Sequence, residues 1–138
     1  MEQKTIVTGV ITDSAHNVGI KVVEFALKQA GFNVVSMGNE ATQEEFIYAA
    51  IETDASAILV SSLYGHAEFD CAGFSQKLIE AGLEKVLLYI GGNLGVGAGK
   101  QFEDVEKRFK ELGFNRVYPP GASPRKAVED LKADLEMT

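Results

Sequence analysis

Thr5-Ile6-Val7-Thr8-Gly9-Val10-Ile11, running directly into Thr12-Asp13-Ser14-Ala15-His16-Asn17-Val18-Gly19, is the stretch that decides how this chain folds. The first seven residues are mostly apolar and rich in β-branched side chains, which predicts a strand. Residues 12–19 are small and largely polar; behind them Ile20, Val23, Leu27 and Ala30 recur at intervals of three, four and three. That spacing places the four side chains on one face of a helix. Strand, polar loop and helix in this order open an α/β unit. Open α/β sheets hold ligands where a strand's carboxyl end meets a helix's amino end, so His16 stands where chemistry is expected.

Working outward, the alternation repeats to the end of the chain. Gly31 marks a helix stop, and residues 33–37 read as a second strand. Thr42 and Glu45 have the spacing of a capping box, ahead of a helix expected to bury Phe46, Ile47, Ala50 and Ile51. Ala57-Ile58-Leu59-Val60 is continuously apolar, as a strand covered on both faces must be. A helix over residues 68–80, with Phe74 and Leu78 inward, is expected to stop near Gly82. Residues 86–90 form a fourth apolar strand, and Phe102, Val105, Phe109 and Leu112 keep helical spacing up to Gly113. Residues 116–118 are a short fifth strand, and Ser123-Pro124 starts a last helix, with Pro in the first turn where its missing N–H is not needed. The pattern predicts an α/β protein, a doubly wound five-stranded parallel sheet with helices on both faces. Five strands favour the flavodoxin-like, Rossmann-like order 2-1-3-4-5. Residues 1–138 read as one domain, without repeats or linkers.

Composition narrows the partners. With 13 basic against 20 acidic residues the net charge is −7, which argues against nucleic acid, since phosphate binding needs clustered Lys and Arg. No apolar run approaches the roughly 20 residues of a membrane span, and the N-terminus shows no signal peptide. One cysteine, Cys71, rules out an intramolecular disulfide and suits a reducing compartment, so a cytoplasmic location is expected. Cys71 reads as a small core residue.

The loops after strands one, three, four and five, residues 12–18, 61–67, 91–100 and 118–122, are rich in Gly, Ser, Asn or Pro. In the order 2-1-3-4-5 those strands are contiguous, so the loops should line one rim. Gly91, Gly92, Gly95, Gly97 and Gly99 fall within nine residues and would let a bulky ligand approach the backbone. Residues 91–100 are neither a P-loop nor a dinucleotide fingerprint. A phosphoacceptor receiver would end strand three in Asp and strand five in Lys, where Ser61 and Tyr118 stand. Two histidines and one cysteine are too few for a zinc site, and a triad of Ser61, His16 and Asp13 lacks a nucleophile elbow.

Three motifs remain: His16-Asn17-Val18-Gly19, then 41 residues, Ser61-Ser62-Leu63, then 27 residues, and Gly91-Gly92. Together with Tyr64-Gly65, Asn93 and Arg116-Val117-Tyr118-Pro119-Pro120-Gly121, they make the chain resemble, over nearly its whole length, the small cobalamin-binding subunits of glutamate mutase (methylaspartate mutase). The resemblance implies a cobalamin-binding domain that takes adenosylcobalamin with its dimethylbenzimidazole off the cobalt, His16 replacing that base as lower axial ligand through a neutral imidazole nitrogen. It implies that the displaced nucleotide tail threads into the sheet. Gly19 would keep the helix start open beside it, Ser61, Ser62 and Leu63 would line the slot, and Gly91 and Gly92 would let it pass. Asn93, Leu94, Gly95, Val96 and Gly97 would wrap its far side, and Asp13, Ser14, Ala15 and Asn17 would surround the ligand histidine.

One position departs from the family pattern. Where the family carries Asp two residues before the histidine, this chain has Ser14, with the carboxylate one place earlier at Asp13. Metal-bound histidines pass their second N–H to an acceptor that fixes the tautomer; here either Asp13 reaches His16 or the Ser14 hydroxyl substitutes. The implied activity is an isomerase reaction, a radical carbon-skeleton rearrangement of L-glutamate to threo-3-methylaspartate in glutamate fermentation. Homolysis of the cobalt–carbon bond supplies the radical, so no side chain of this chain is expected to be catalytic. A domain with one rim shields one face of a corrin, and the implied partner is a large glutamate-binding (β/α)₈ barrel, in a heterotetramer of two small and two large chains. A corrinoid carrier in methyl transfer is the other reading, although such carriers place a helical domain ahead of the fold. Tyr64 and Tyr118 stand on the rim, while His66 has no role in the pattern.

Overall fold

Five strands, β1 (Thr5–Val10), β2 (Asn33–Ser36), β3 (Ala57–Ser62), β4 (Leu87–Gly92) and β5 (Arg116–Val117), pair in parallel in the order β2-β1-β3-β4-β5. They belong to a computed structural model that describes residues 3–11, 18–62, 67–92, 101–119 and 121–136. The helices are α1 (Val18–Gln29), α2 (Gln43–Thr53), α3 (Ala67–Asp70), α4 (Phe74–Glu80), α5 (Phe102–Glu111) and α6 (Pro124–Asp134). The doubly wound order expected from five strands is the order observed.

Alternation along the strands divides the core in two, because successive side chains leave a strand on opposite faces. Val7, Ile58, Val60, Leu88 and Ile90 pack with Phe46, Phe74, Val105 and Phe109 beneath α2, α4 and α5. Ile6, Leu59 and Tyr89 pack on the other face with Leu27 of α1 and Ala127, Val128 and Leu131 of α6. The central strands β1 and β3 are covered on both sides, which is why residues 57–60 of β3 are continuously apolar and β1 is mostly so.

Local chemistry sets several helix starts. The Thr42 hydroxyl accepts the Glu45 N–H at 3.1 Å while the Glu45 carboxylate accepts the Thr42 N–H at 3.0 Å, closing the expected capping box. Ser123 caps α6 by accepting the Arg125 N–H at 3.2 Å, with Pro124 in the first turn.

Several expectations are corrected. The helix expected over residues 68–80 is two short helices, broken at 71–73, where Gly73 adopts φ +78°. The break is stabilised from outside: the buried Gln43 amide donates to the carbonyls of Asp70 at 2.6 Å and Ala72 at 3.0 Å, groups that a continuous helix would have satisfied itself. Ile51 is 53% exposed rather than buried. At about 100° per residue it falls beyond Ile47, itself at the edge of the stripe centred on Phe46 and Ala50. β4 runs on through Gly91 and Gly92, which were expected to begin a loop, and β3 likewise takes in Ser61 and Ser62. β2 and β5 each end a residue early, at Ser36 and Val117, and Ile11 forms only an isolated bridge to Ala41. Among the described residues no helix is long and apolar enough to cross a membrane.

Candidate functional site

The site is built on one transverse row at the carboxyl ends of the strands. Val10 of β1 pairs with Ser61 of β3, and Ser61 pairs with Gly91 of β4. The Tyr118 N–H donates to Ile90 O at 2.9 Å, which brings Tyr118 beside Gly91; a Cβ on Gly91 would lie 3.4 Å from the Tyr118 Cβ. Residues far apart in the chain thus become neighbours through register alone.

Above this row, on the α1/α6 face, a slot of about 180 Å³ opens. Its floor is Leu59, Ser61 and Gly91, one side is Gly19, Ile20 and Val23 of α1, and the other is Pro119, Gly121, Ala122, Ser123, Pro124 and Ala127. The walls are small or apolar. For scale, an apolar cavity of about 150 Å³ holds a benzene ring, so this slot accepts a flat aromatic group with one edge open. A Cβ on Gly19 would meet nothing within 4 Å, so α1 begins without crowding the opening.

Gly92 serves a different purpose from its neighbour. Its φ of +101° lies where side chains are disfavoured, and a Cβ there would run into the Ser62 carbonyl oxygen. Only glycine allows β4 to leave the sheet at this point.

The end wall is made of two tyrosines. The rings of Tyr89 and Tyr118 lie 5.9 Å apart at 59°, and both hydroxyls are turned toward α6. Tyr118 donates to Asp130 at 2.6 Å and Tyr89 donates to Asp134. Arg116, the register partner of Tyr89, grips Asp134 with two bonds of 2.8 Å and stands 3.4 Å from Asp130. Lys126 completes the cluster at 3.0 Å from Asp130. Burial, with the facing carboxylates, lifts both phenols well above the usual tyrosine range. The Arg116 bonds hold the Asp134 carboxyl below its usual range. On the same face, Thr8 donates to the buried Glu24 at 2.5 Å, tying α1 to β1.

Of the residues singled out in the sequence, Gly19, Ser61 and Gly91 line the slot together and Gly92 adjoins them. Ser62 shares β3 with Ser61 but its side chain alternates to the opposite face. Asp13, Ser14, Ala15, His16, Asn17, Leu63 and the run 93–97 lie outside the described residues, as do Tyr64 and His66. The described flanks of the His16 segment do reach the site: the Ile11 N–H donates to Ser61 O at 3.0 Å, and Gly19 is a slot residue. Sequence reasoning overlooked Tyr89, hidden in an apolar strand, and the α6 wall. The Asp130/Asp134 spacing on one helix face was the available signal.

Comparison with known proteins identifies the family. The B12 binding domain family matches residues 4–107. The glutamate mutase sigma subunit of Carboxydothermus hydrogenoformans is 54% identical over 135 residues, covering 98% of both chains. That of Clostridium cochlearium is 56% identical over 137 residues, covering 99% of both. The chain belongs to the glutamate mutase sigma-subunit family. The row Ser61–Gly91 and the slot above it are therefore features of a sigma-subunit fold.

Solved structures share that fold at lower identity. A cobalamin-binding protein from Desulfitobacterium hafniense superposes with a TM-score of 0.78 at 17% identity, covering 96% of this chain and 60% of that one. The methanol:cobalamin methyltransferase complex of Methanosarcina barkeri gives 0.67 at 25%, covering 94% and 46%. The receiver domain of a Mycobacterium tuberculosis response regulator gives 0.64 at 15%, covering 96% and 98%. This sigma-subunit relative shares the receiver's scaffold while Ser61 and Tyr118 stand where receiver chemistry needs Asp and Lys, an instance of fold without function.

Proposed function

We propose that this chain is the cobalamin-binding small subunit of adenosylcobalamin-dependent glutamate mutase, an isomerase that converts L-glutamate to threo-3-methylaspartate. The observation that carries the reading is the apolar slot of about 180 Å³ at the switch-point end of the sheet, walled by Ser61 and Gly91, in a chain related to sigma subunits from end to end. Its size, its small-residue walls and its open edge fit the aromatic nucleotide tail of a cobalamin held with its base off the metal.

In this reading residues 1–138 act as one binding domain. His16 would hold the cobalt through a neutral imidazole nitrogen, with Asp13 or the Ser14 hydroxyl accepting its other N–H and orienting the ring. Gly19, Ser61, Leu63, Gly91 and Gly92 receive the tail, with the Ser62 side chain on the opposite face of β3, and residues 93–97 wrap its far side, with Ala15 and Asn17 flanking the ligand. When bound, the cofactor supplies radical chemistry through its cobalt–carbon bond. The chain's own part is to hold, orient and shield one corrin face; a large glutamate-binding (β/α)₈-barrel subunit covers the other and excludes water, in a cytoplasmic heterotetramer of two small and two large chains.

The test combines the protein with adenosylcobalamin and a large subunit. Electron paramagnetic resonance of cobalt(II) is expected to show nitrogen splitting that disappears in His16→Gly. Glutamate turnover without any splitting would overturn the ligand assignment. Tight cofactor binding without mutase activity, with any active large subunit, would point to a methyl carrier instead.

A further inference from the structure

The polar cluster behind the slot has no part in the reading above, yet it touches the slot through two aromatic rings. Tyr89 and Tyr118 are slot residues, and each spends its hydroxyl on a carboxylate of α6. Both residues therefore line the cavity while their phenol ends are pinned to α6. Both carboxylates belong to the helix whose other residues, Pro124 and Ala127, form the opposite wall. Arg116 spans the two: its guanidinium binds Asp134 in the two-pronged manner that fixes orientation as well as distance, and it reaches Asp130.

We propose that Arg116, acting through Asp130 and Asp134, positions Tyr118 and Tyr89 as the end wall of the slot and thereby sets its grip on the nucleotide tail. The inference rests on the cobalamin reading and deepens it by naming a positioning group that touches neither cobalt nor corrin. Geometry supports the assignment over simple helix anchoring. Asp130 is 5% exposed, and burying a carboxylate is costly unless it is paired. Surface pairs such as Lys77 with Glu44, at 2.5 Å on the other side of the sheet, already show how helices are tied down away from the slot. A cluster of four charges, Arg116, Lys126, Asp130 and Asp134, and two phenols is more than anchoring α6 requires. Its geometric consequence is that neither ring can swing away about its Cα–Cβ bond without breaking a charge-assisted hydrogen bond, so the wall is formed before any ligand arrives.

The experiment measures binding of two probes, hydroxocobalamin and its isolated dimethylbenzimidazole ribonucleotide, to the full chain by calorimetry. Tyr118→Phe keeps the ring and removes only its tether. Arg116→Lys keeps the charge but cannot form the two-pronged contact. Both variants are expected to bind both probes roughly tenfold more weakly, the scale of loss when an outer supporting shell is loosened, while remaining folded under the titration conditions. Arg116→Ala is expected to lose more, and Tyr118→Phe keeps the question open to test if that variant does not fold. Lys77→Met is expected to bind as the parent does. Parent-like affinity in both conservative variants, or weakening matched by their unfolded fraction, would overturn the inference while leaving the cobalamin reading intact. Failure of the parent to bind either probe would instead remove the cobalamin reading itself.

Discussion

Gly92 of β4 lies directly opposite Ser62 of β3 with φ at +101°, so close that a side chain on it would enter the Ser62 carbonyl oxygen. Its neighbour Gly91 has no such restriction: a Cβ there reaches only ordinary contact distance, 3.4 Å, from Tyr118. Two adjacent glycines thus answer to different constraints, one to the fold and one to the slot. Substitution separates them.

Gly92→Ala is expected to destabilise the protein by about 3 kcal/mol, the sum of left-handed backbone strain and a backbone collision. Urea unfolding at neutral pH measures it. A midpoint equal to the parent's would show that β4 does not depend on this close approach.

Gly91→Ala is expected to change stability by less than about 1 kcal/mol, since the added methyl meets only the Tyr118 Cβ. It places that methyl in the slot, and a misplaced methyl in a fitted cavity costs about tenfold or more in binding. Cobalamin titration against a parallel unfolding curve distinguishes the two effects.

Thr8→Val removes the hydroxyl that donates to the buried Glu24 carboxylate at 2.5 Å. A buried acceptor deprived of its donor costs about 1–3 kcal/mol. Thr8→Ser, which keeps the donor, should recover most of the loss; equal destabilisation by both would assign the effect to packing.

Stability should fall on the alkaline side. The phenols of Tyr89 and Tyr118 are raised above 10.0 in the folded state by burial and by Asp134 and Asp130. Their contribution is full below the unfolded value and is lost as pH rises through the higher folded values, because the unfolded chain releases these protons first. On the acid side the lowered Asp134 carboxyl acts in the opposite sense: its stabilisation is present above 3.8 and is lost as pH falls through its folded value. Unfolding midpoints from about pH 9 to pH 11 should decline, and decline less steeply in Tyr118→Phe.

Cys71 is fully buried in the α2/α4/α5 cluster, and burial pushes its thiol up to about 12. The thiolate is the reactive form, so alkylating reagents near pH 8 should label the chain only after denaturant is added. Labelling of the native protein at the denatured rate would place Cys71 at the surface.

Much of this molecule is written in short-range pattern. The strand ahead of His16, the capping box at Thr42 and Glu45, the Ser123-Pro124 start and the stripe Phe102, Val105, Phe109 all depend on residues within about a turn of one another. The break at Gly73 was not legible, because the group that stabilises it, Gln43, lies 27 residues from Asp70 and 29 from Ala72. Ile51 misled for a related reason: hydrophobic character says that a residue can be buried, whereas its angle on α2 decides whether it is.

The site divides along the same line. Local sequence determined the class of fold and the glycine- and serine-rich ends that could border a ligand, since periodicity and capping act between near neighbours; the strand order followed from the count of five parallel strands. Tertiary structure decided that Ser61, Gly91 and Tyr118 share one row, that Tyr89 faces the slot, and that Arg116 reaches Asp134 across 18 residues of chain. Such contacts arise only when strand register and the packing of α6 on the sheet bring distant residues to within bonding distance, and no local preference encodes that.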